Sequence, residues 1–441
     1  MALIFNSSCF LLFMKTLRTF LFLSFLPVLP LFASDKLSRC ILAMQKEVWQ
    51  EWTQRWQVES ATASPAPFLP LPRPAADKPL EATLTWHVPD SLEPHAEWRM
   101  FHGTKGERPA AGFPCYLYLH GSGPSESEWH TGLVLANRFD DAPSLWFVPR
   151  IPNEGGWYRW WQRGKQWALQ QLLRHVLASP DVDAARLYLL GISEGGYGSQ
   201  RLSSFFADYL AAAGPMAGGE PLINAPAENL SHTAFSFLTG ANDATFCRNL
   251  LTERTGQTLD SLARKYPGEY VHRVELIPHC GHGIDYSPTT PWLSRHRRTP
   301  QPRHFLWENF EMDGVKRNAF FNLEVLEETA EGRTAYEFTA HAERNEVEVK
   351  VWSVTYETAQ SDSRWGIPLV FHRHLSPAPH GRLRVFLSPE LADLSRPLRL
   401  SVNGKTLFRG KAKVEKRVME RAVALFGDPL RLFPAAVEVE W

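Results

Sequence analysis

The chain alternates short apolar runs with longer segments of helical periodicity, a pattern that predicts a sheet with helices between its strands. Two stretches have helical character, at residues 160–177 and after Ser203. The apolar runs, typical of buried parallel strands, are residues 115–119, 145–149, 187–190, 210–219, 235–238 and 271–277. We therefore predict an α/β fold with a doubly wound, mostly parallel sheet.

The chain begins with a pattern typical of a secretory signal. Lys15 and Arg18 precede the apolar run 20–32, and a small residue follows it at a plausible cleavage point. Prolines interrupt this run, which is too short to span a bilayer. We expect residues 1–33 to be a leader, with Met14 as an alternative start, and the remainder to be exported to the periplasm or the medium without stable membrane insertion.

Residues 34–80 are predicted to hold one helix and a linker before the main domain. Apolar residues recur at three- and four-residue steps over 36–59, so an amphipathic helix is expected to pack on the main domain. Six prolines within 64–79 predict an extended linker. The main domain is expected over 81–303, with alternating segments in its first 25 residues as edge strands.

Past Arg303 the pattern changes to short alternating segments, such as residues 338–354 and 383–387. Asn403 and Gly404 form a strong hairpin signal between two of them. We predict a small C-terminal β-sandwich over residues 304–441, which carries no candidate nucleophile.

Composition narrows the possible partners. The 47 Lys and Arg residues balance the 47 Asp and Glu residues, so no electrostatic field is expected to collect nucleic acid. The 16 histidines show no metal-ligand spacing, and we predict neither a metal nor another cofactor. The 16 tryptophans fit either core packing or a surface that binds sugars or aromatic groups, and core packing is the simpler interpretation.

One turn carries a chemical signature. Residues 191–195 read Gly-Ile-Ser-Glu-Gly, the Gly-x-Ser-x-Gly pattern of a nucleophile elbow, between an apolar strand and a helical segment. Such a turn lifts the serine hydroxyl above the sheet, which makes Ser193 the candidate nucleophile. An ordinary strand-to-helix turn is the alternative.

A serine hydroxyl needs a base to take its proton and usually a carboxylate to orient that base. Asp243 follows an apolar strand and is the candidate acid, with helix capping as its alternative role and Asp285 as the next candidate. His282 lies between two glycines after the last apolar strand and is the candidate base. His279 adjoins the strand end and is the alternative base.

Together the elbow, the His-Gly-Ser-Gly loop at 120–123, and the turns at 240–243 and 281–283 resemble the α/β-hydrolases. Within that superfamily they are most similar to secreted esterases, depolymerases and predicted peptidases with dienelactone-hydrolase-like cores. The resemblance covers about residues 81–302. It implies an oxyanion hole formed by the amides of Gly121 or Ser122 and of Glu194. A carboxylate at position 194 departs from many relatives and leaves the preferred substrate charge open.

These features predict acyl transfer on an ester or amide that is a small molecule or derives from a polymer. Ester hydrolysis is the first expectation, and a peptidase with the same triad is the alternative within enzymes. A degenerate hydrolase fold that acts as a binding or scaffold protein is the alternative outside enzymes.

Export makes a disulfide plausible among Cys40, Cys115, Cys247 and Cys280. Cys247 lies four residues after the candidate acid and Cys280 two before the candidate base, so these loops are expected to be neighbours. We therefore predict a bridge between Cys247 and Cys280, with Cys115 a buried thiol.

Overall fold

The computed structural model describes residues 35–63, 84–151, 159–329 and 332–441. The predicted leader and the proline-rich linker lie outside the described residues.

An eight-stranded mixed sheet forms the centre of the first part of the chain, in the order β1-β2-β4-β3-β5-β6-β7-β8. β2 is antiparallel to both β1 and β4. The other six strands, β3 to β8, are parallel to one another. The strands are β1 Leu84–His87, β2 Glu97–Lys105, β3 Phe113–Leu119, β4 Ser144–Pro149, β5 Val182–Ile192, β6 Ala212–Met216, β7 Ala234–Gly240 and β8 His272–Ile277.

Helices cover both faces of this sheet because its central strands are apolar on both sides. Cys115 and Leu117 of β3 lie in one buried cluster with Leu172, whereas Tyr116 and Tyr118 lie in another with residues of α2. The helices are α1 Asp35–Ala63, α2 Ser125–Arg138, α3 Arg163–Ala178, α4 Glu194–Phe205, α5 Arg248–Lys265, α6 Thr289–Leu293 and α7 Lys416–Phe426. The predicted α/β class is confirmed.

Helix α1 packs against more than the main sheet domain. The ring centroids of Trp56 and of His175 in α3 are 5.2 Å apart. At the same time Gln45 Nε2 donates to the Leu432 carbonyl, and Lys416 of α7 pairs with Glu47. Helix α1 therefore contacts both the main sheet domain, through α3, and the C-terminal region.

The C-terminal region is rich in sheets, in agreement with the predicted fold class. One sheet has the order β10-β11-β15-β18, and the other β17-β16-β13-β12-β9 with β14 paired to β13. Asn403 and Gly404, with φ of 47° and 79°, form the predicted hairpin turn between β16 and β17. The strands are β9 His304–Asn309, β10 Ala319–Phe320, β11 Leu323–Glu327, β12 Arg333–His341, β13 Glu346–Ser361, β14 Pro368–Pro377, β15 Arg382–Leu387, β16 Leu398–Val402, β17 Lys405–Gly410 and β18 Ala435–Glu440.

The two parts share one buried cluster. Ile41 of α1, Phe237 of β7, Phe338 of β12 and Leu383 of β15 all belong to it. The long β13–β14 hairpin extends from this region, and the Asp362 amide closes its tip by donating to the Ile367 carbonyl at 2.8 Å.

Within the described ranges, no helix combines the length and the apolar character needed to cross a bilayer.

Candidate active site

The turn between β5 and α4 has the geometry of a nucleophile elbow. Ser193 has φ 57° and ψ −115°, a strained conformation for a residue with a side chain. A Cβ on Gly191 would lie 2.2 Å from the Gly195 carbonyl oxygen, so only glycine allows this close turn. The Ser193 amide donates to the Met216 carbonyl of β6 at 3.0 Å, which fixes the serine above the carboxyl edge of the sheet.

Three side chains from separate loops form a continuous hydrogen-bonded chain. His282 donates from Nδ1 to Oδ2 of Asp243 at 2.7 Å, and Oγ of Ser193 lies 3.0 Å from its Nε2. Because Nδ1 carries the proton given to the carboxylate, Nε2 of the neutral ring accepts from the serine hydroxyl. Asp243 is 3% exposed, whereas the His282 side chain is 44% exposed. The arrangement places a buried carboxylate behind an imidazole that is open to solvent.

Neighbouring parallel strands bring together the loop after β7, which carries Asp243 (the proposed acid loop), and the loop after β8, which carries His282 (the proposed base loop). β7 and β8 pair in parallel, so the loops that follow them leave the same edge of the sheet. The Asn242 amide donates to the Cys280 carbonyl at 2.9 Å. A Cβ on Gly240 would lie 1.9 Å from the Gly281 carbonyl oxygen, so this contact requires glycine at the end of β7.

The two alternative candidates lie outside this chain of hydrogen bonds. His279 is exposed at the end of β8, with φ 62°. Asp285 is also exposed, and its Oδ1 accepts from the Ser287 amide at 2.9 Å. The structure therefore brings His282 and Asp243, and neither alternative, to Ser193.

Arg248 is a site residue that the sequence analysis missed. Its Nε donates to Oδ2 of Asp243 at 2.9 Å, and its Nη1 donates to the Tyr197 hydroxyl at 3.3 Å. The guanidinium is buried and compensates the charge of the acid. Spacing alone offered one weak signal, since Arg248 is five residues after Asp243 at the start of α5.

The glycine-rich loop after β3 is fixed by His120. The ring accepts from the Ile151 amide through Nε2 at 3.1 Å and donates from Nδ1 to the Gly121 carbonyl at 2.7 Å. Burial lowers the pKa of His120 to about 4, so the ring stays neutral and keeps this tautomer. In a trans peptide the next N–H points opposite to the carbonyl, so the Ser122 amide points away from the His120 ring. Trp160 Nε1 holds the same loop by donating to the His120 carbonyl at 3.1 Å.

Glu194, whose amide begins α4, carries a buried carboxyl group. It is 7% exposed, its Oε2 lies 3.6 Å from Arg159, and its Oε1 is without a hydrogen-bond partner. Burial raises the pKa of Glu194 to about 7, and the nearby Arg159 opposes this shift. Glu128 is a second carboxyl beside the site, since a Cβ on Gly121 would lie 3.2 Å from its Oε2.

The predicted bridge between Cys247 and Cys280 is not formed, because both are free thiols, as are Cys40 and Cys115. The loops are neighbours as expected, but the Cys247 thiol is directed elsewhere. Burial raises the pKa of Cys247, and the adjacent Asp362 carboxylate raises it further. The thiol therefore faces the tip of the β13–β14 hairpin.

A cleft of about 570 Å³ lies in the C-terminal region, between α7 and strands β15, β17 and β18. None of the predicted site residues lines it. Among the described residues, no group of three or more His, Cys, Asp or Glu side chains is arranged to hold a metal ion.

Comparison with solved structures matches this chain to several esterases at low sequence identity. A thermostable esterase is 21% identical and matches 50% of this chain and 63% of its own, with a TM-score of 0.39. A carboxylesterase from Mesorhizobium loti is 20% identical over 45% of this chain and 93% of its own, with a TM-score of 0.32. A ferulic acid esterase from the anaerobic fungus Anaeromyces mucronatus is 12% identical over 52% and 94%, with a TM-score of 0.34.

No protein-family profile and no curated protein sequence matches the chain. These three structures have TM-scores below 0.5, and the fold assignment depends on this chain's own topology. The mixed sheet has helices on both faces and a strained Gly-x-Ser-x-Gly turn after a central strand. The chain therefore has an α/β-hydrolase-type fold, followed by a sheet-rich C-terminal region.

Proposed function

We propose that this protein is an exported serine hydrolase that cleaves a carboxylic ester through an acyl-enzyme. The observation that carries the proposal is the unbroken hydrogen-bonded chain from Ser193 through His282 to Asp243. A solvated serine hydroxyl is a poor nucleophile, and a neutral imidazole within hydrogen-bond reach removes that limitation. The basic and apolar pattern of residues 1–33 supports export.

The first half of the reaction follows from these positions. His282 Nε2 takes the hydroxyl proton as Ser193 Oγ forms a bond to the carbonyl carbon of the substrate. The buried Asp243 carboxylate stabilises the imidazolium that results. When the tetrahedral intermediate collapses, the bond to the leaving alkoxide breaks, and the imidazolium returns its proton to that oxygen.

The developing oxyanion requires preorganised donors. The amides of Glu194, at the N-terminus of α4, and of Gly121 or Ser122, on the loop that His120 fixes, are proposed to supply them. Water then attacks the acyl-enzyme with His282 as the base, which releases the acid and restores the hydroxyl of Ser193.

An active-site fluorophosphonate tests this proposal directly, because it reacts with activated serines. We expect the wild type to be labelled, Ser193→Ala to be unlabelled, and Ser127→Ala, which removes an exposed serine of α2, to be labelled like the wild type. An unlabelled wild type would favour the degenerate scaffold. A panel of acyl esters and aminoacyl amides then separates an esterase from a peptidase.

A further inference from the structure

Two exposed aromatic rings lie together beside the acid loop. Phe246 and Trp365 are the most exposed aromatic residues in the described part of the chain, at 43% and 40%. Their ring centroids are 4.6 Å apart, with 51° between the ring planes. We call this pair the aromatic ridge. The other described Phe, Tyr and Trp side chains are all less exposed than these two. A pair of exposed rings in contact with each other indicates a surface that meets a ligand.

The aromatic ridge combines two distant parts of the chain, one of which is the loop that carries Asp243. Phe246 is three residues after Asp243, and its ring lies 5.6 Å from the guanidinium carbon of Arg248. Trp365 belongs to the tip of the β13–β14 hairpin. The C-terminal region therefore contributes a side chain next to the loop that carries the proposed acid.

The backbone under Phe246 is strained. Phe246 and Cys247 are consecutive residues with side chains in the left-handed region, at φ 55° and 58°. The Asp362 carboxylate lies against the Cys247 thiol, and its Oδ2 accepts from the amides of Arg364 and Trp365. One carboxylate thus fixes both sides of the ridge. A strained loop that holds an apolar ring in water costs free energy in the absence of a ligand, and strain of this kind concentrates at functional sites.

Arg364 supplies a polar group beside the rings. Its guanidinium lies 4.7 Å from the centroid of Trp365, on an exposed side chain. Its N–H groups remain available to acceptors on a ligand that covers the indole.

We propose that the aromatic ridge is a substrate subsite for a six-membered ring that carries hydroxyl groups, from a sugar or from a phenol. The ring face packs on Trp365 and Phe246, and Arg364 donates to the ring oxygens. This inference rests on the proposed function and adds the substrate class: an ester with such a ring in its acyl or alcohol part.

Kinetics on three esters test the subsite: acetylated xylotetraose, the methyl ester of a hydroxycinnamic acid, and methyl butyrate, which has no ring. We expect Trp365→Ala to raise KM about fivefold for the ring ester that the ridge recognises and to leave methyl butyrate unchanged. Trp365→Phe should retain most of the affinity. Leu375→Ala removes an equally exposed apolar side chain from β14 of the same hairpin and should behave as the wild type.

The ring ester whose KM rises in Trp365→Ala identifies the ring as a sugar or a phenol. An unchanged KM for both ring esters would overturn the proposal. An equal loss of kcat on all three esters would also overturn it, because the aromatic ridge would then only stabilise the conformation of the loop that carries Asp243.

Binding provides a readout that does not require turnover. Calorimetric titration of Ser193→Ala with each ring ester should give binding that the added Trp365→Ala change weakens about fivefold. If fluorophosphonate labelling fails and this binding persists, the proposed function is wrong and the subsite stands. If labelling succeeds and Trp365→Ala changes neither binding nor KM, the subsite is wrong and the hydrolase stands.

Discussion

Arg248 donates from Nε to Oδ2 of Asp243 at 2.9 Å, and the same oxygen accepts the Nδ1 proton of His282 at 2.7 Å. Asp243 is almost completely buried, where an isolated carboxylate would be costly. The guanidinium offsets that cost and fixes the direction of the carboxylate at the same time. Arg248 is therefore a positioning residue for the proposed base.

Arg248→Met should lower kcat roughly 100-fold, because a displaced Asp243 no longer orients the imidazole. It should also destabilise the fold by about 3–5 kcal/mol, since it leaves a buried carboxylate unpaired. Arg254→Met, on the exposed face of the same helix, is the matched control and should change neither quantity. Steady-state rates corrected for the fraction of labelled serine separate the catalytic effect from unfolding. A corrected kcat equal to that of the wild type would remove Arg248 from the site.

His282→Ala should lower kcat by about 10³-fold or more, because no base then remains at Ser193. His279→Ala should have little effect, since its exposed side chain lies outside the hydrogen-bonded chain. Both variants are compared on one ester, with circular dichroism to verify folding. The reverse order of effects would transfer the role of base to His279.

Asp243→Asn should lower kcat by about 10⁴-fold, because the amide favours the wrong imidazole tautomer while keeping the size of the side chain. Asp285→Asn is the control, as its carboxylate accepts from the Ser287 amide on the exposed loop. Near-wild-type activity of Asp243→Asn would mean that the acid lies elsewhere.

Glu194 gives a pH dependence of stability whose sign follows from its burial. Burial raises its pKa from 4.5 to about 7 in the folded protein, so between these values the native state binds more protons than the unfolded state. The free energy of unfolding therefore falls as pH rises through this window. Glu194→Gln should remove up to about 3 kcal/mol of that fall.

Urea unfolding of the wild type and Glu194→Gln at pH 5 and pH 8 measures this effect. The difference in unfolding free energy between the two pH values should be smaller in the variant. An identical difference in both proteins would show that Glu194 does not titrate in this window.

Local rules allowed much of the main sheet to be predicted from sequence. Continuous apolar runs indicated the strands, and the chain places β3 at Phe113–Leu119 and β8 at His272–Ile277, within two residues of prediction. The order of Ser193, Asp243 and His282 along the chain identified the side chains that the structure brings together. Helix α7 was missed among the alternating C-terminal segments. The Cys247–Cys280 bridge was inferred from adjacent loops, but adjacency does not set thiol direction.

The sequence by itself determined the central strands of the main sheet, the elbow and the identity of the candidate nucleophile, because apolar periodicity and the Gly-x-Ser-x-Gly spacing are local properties. Tertiary structure alone decided that Arg248 pairs with Asp243, that the His120 ring fixes the glycine-rich loop after β3, and that Trp365 meets Phe246 across 119 positions of chain. These contacts depend on which strand ends and hairpin tips become neighbours in space. Packing of the whole chain sets that choice, and no local pattern encodes it.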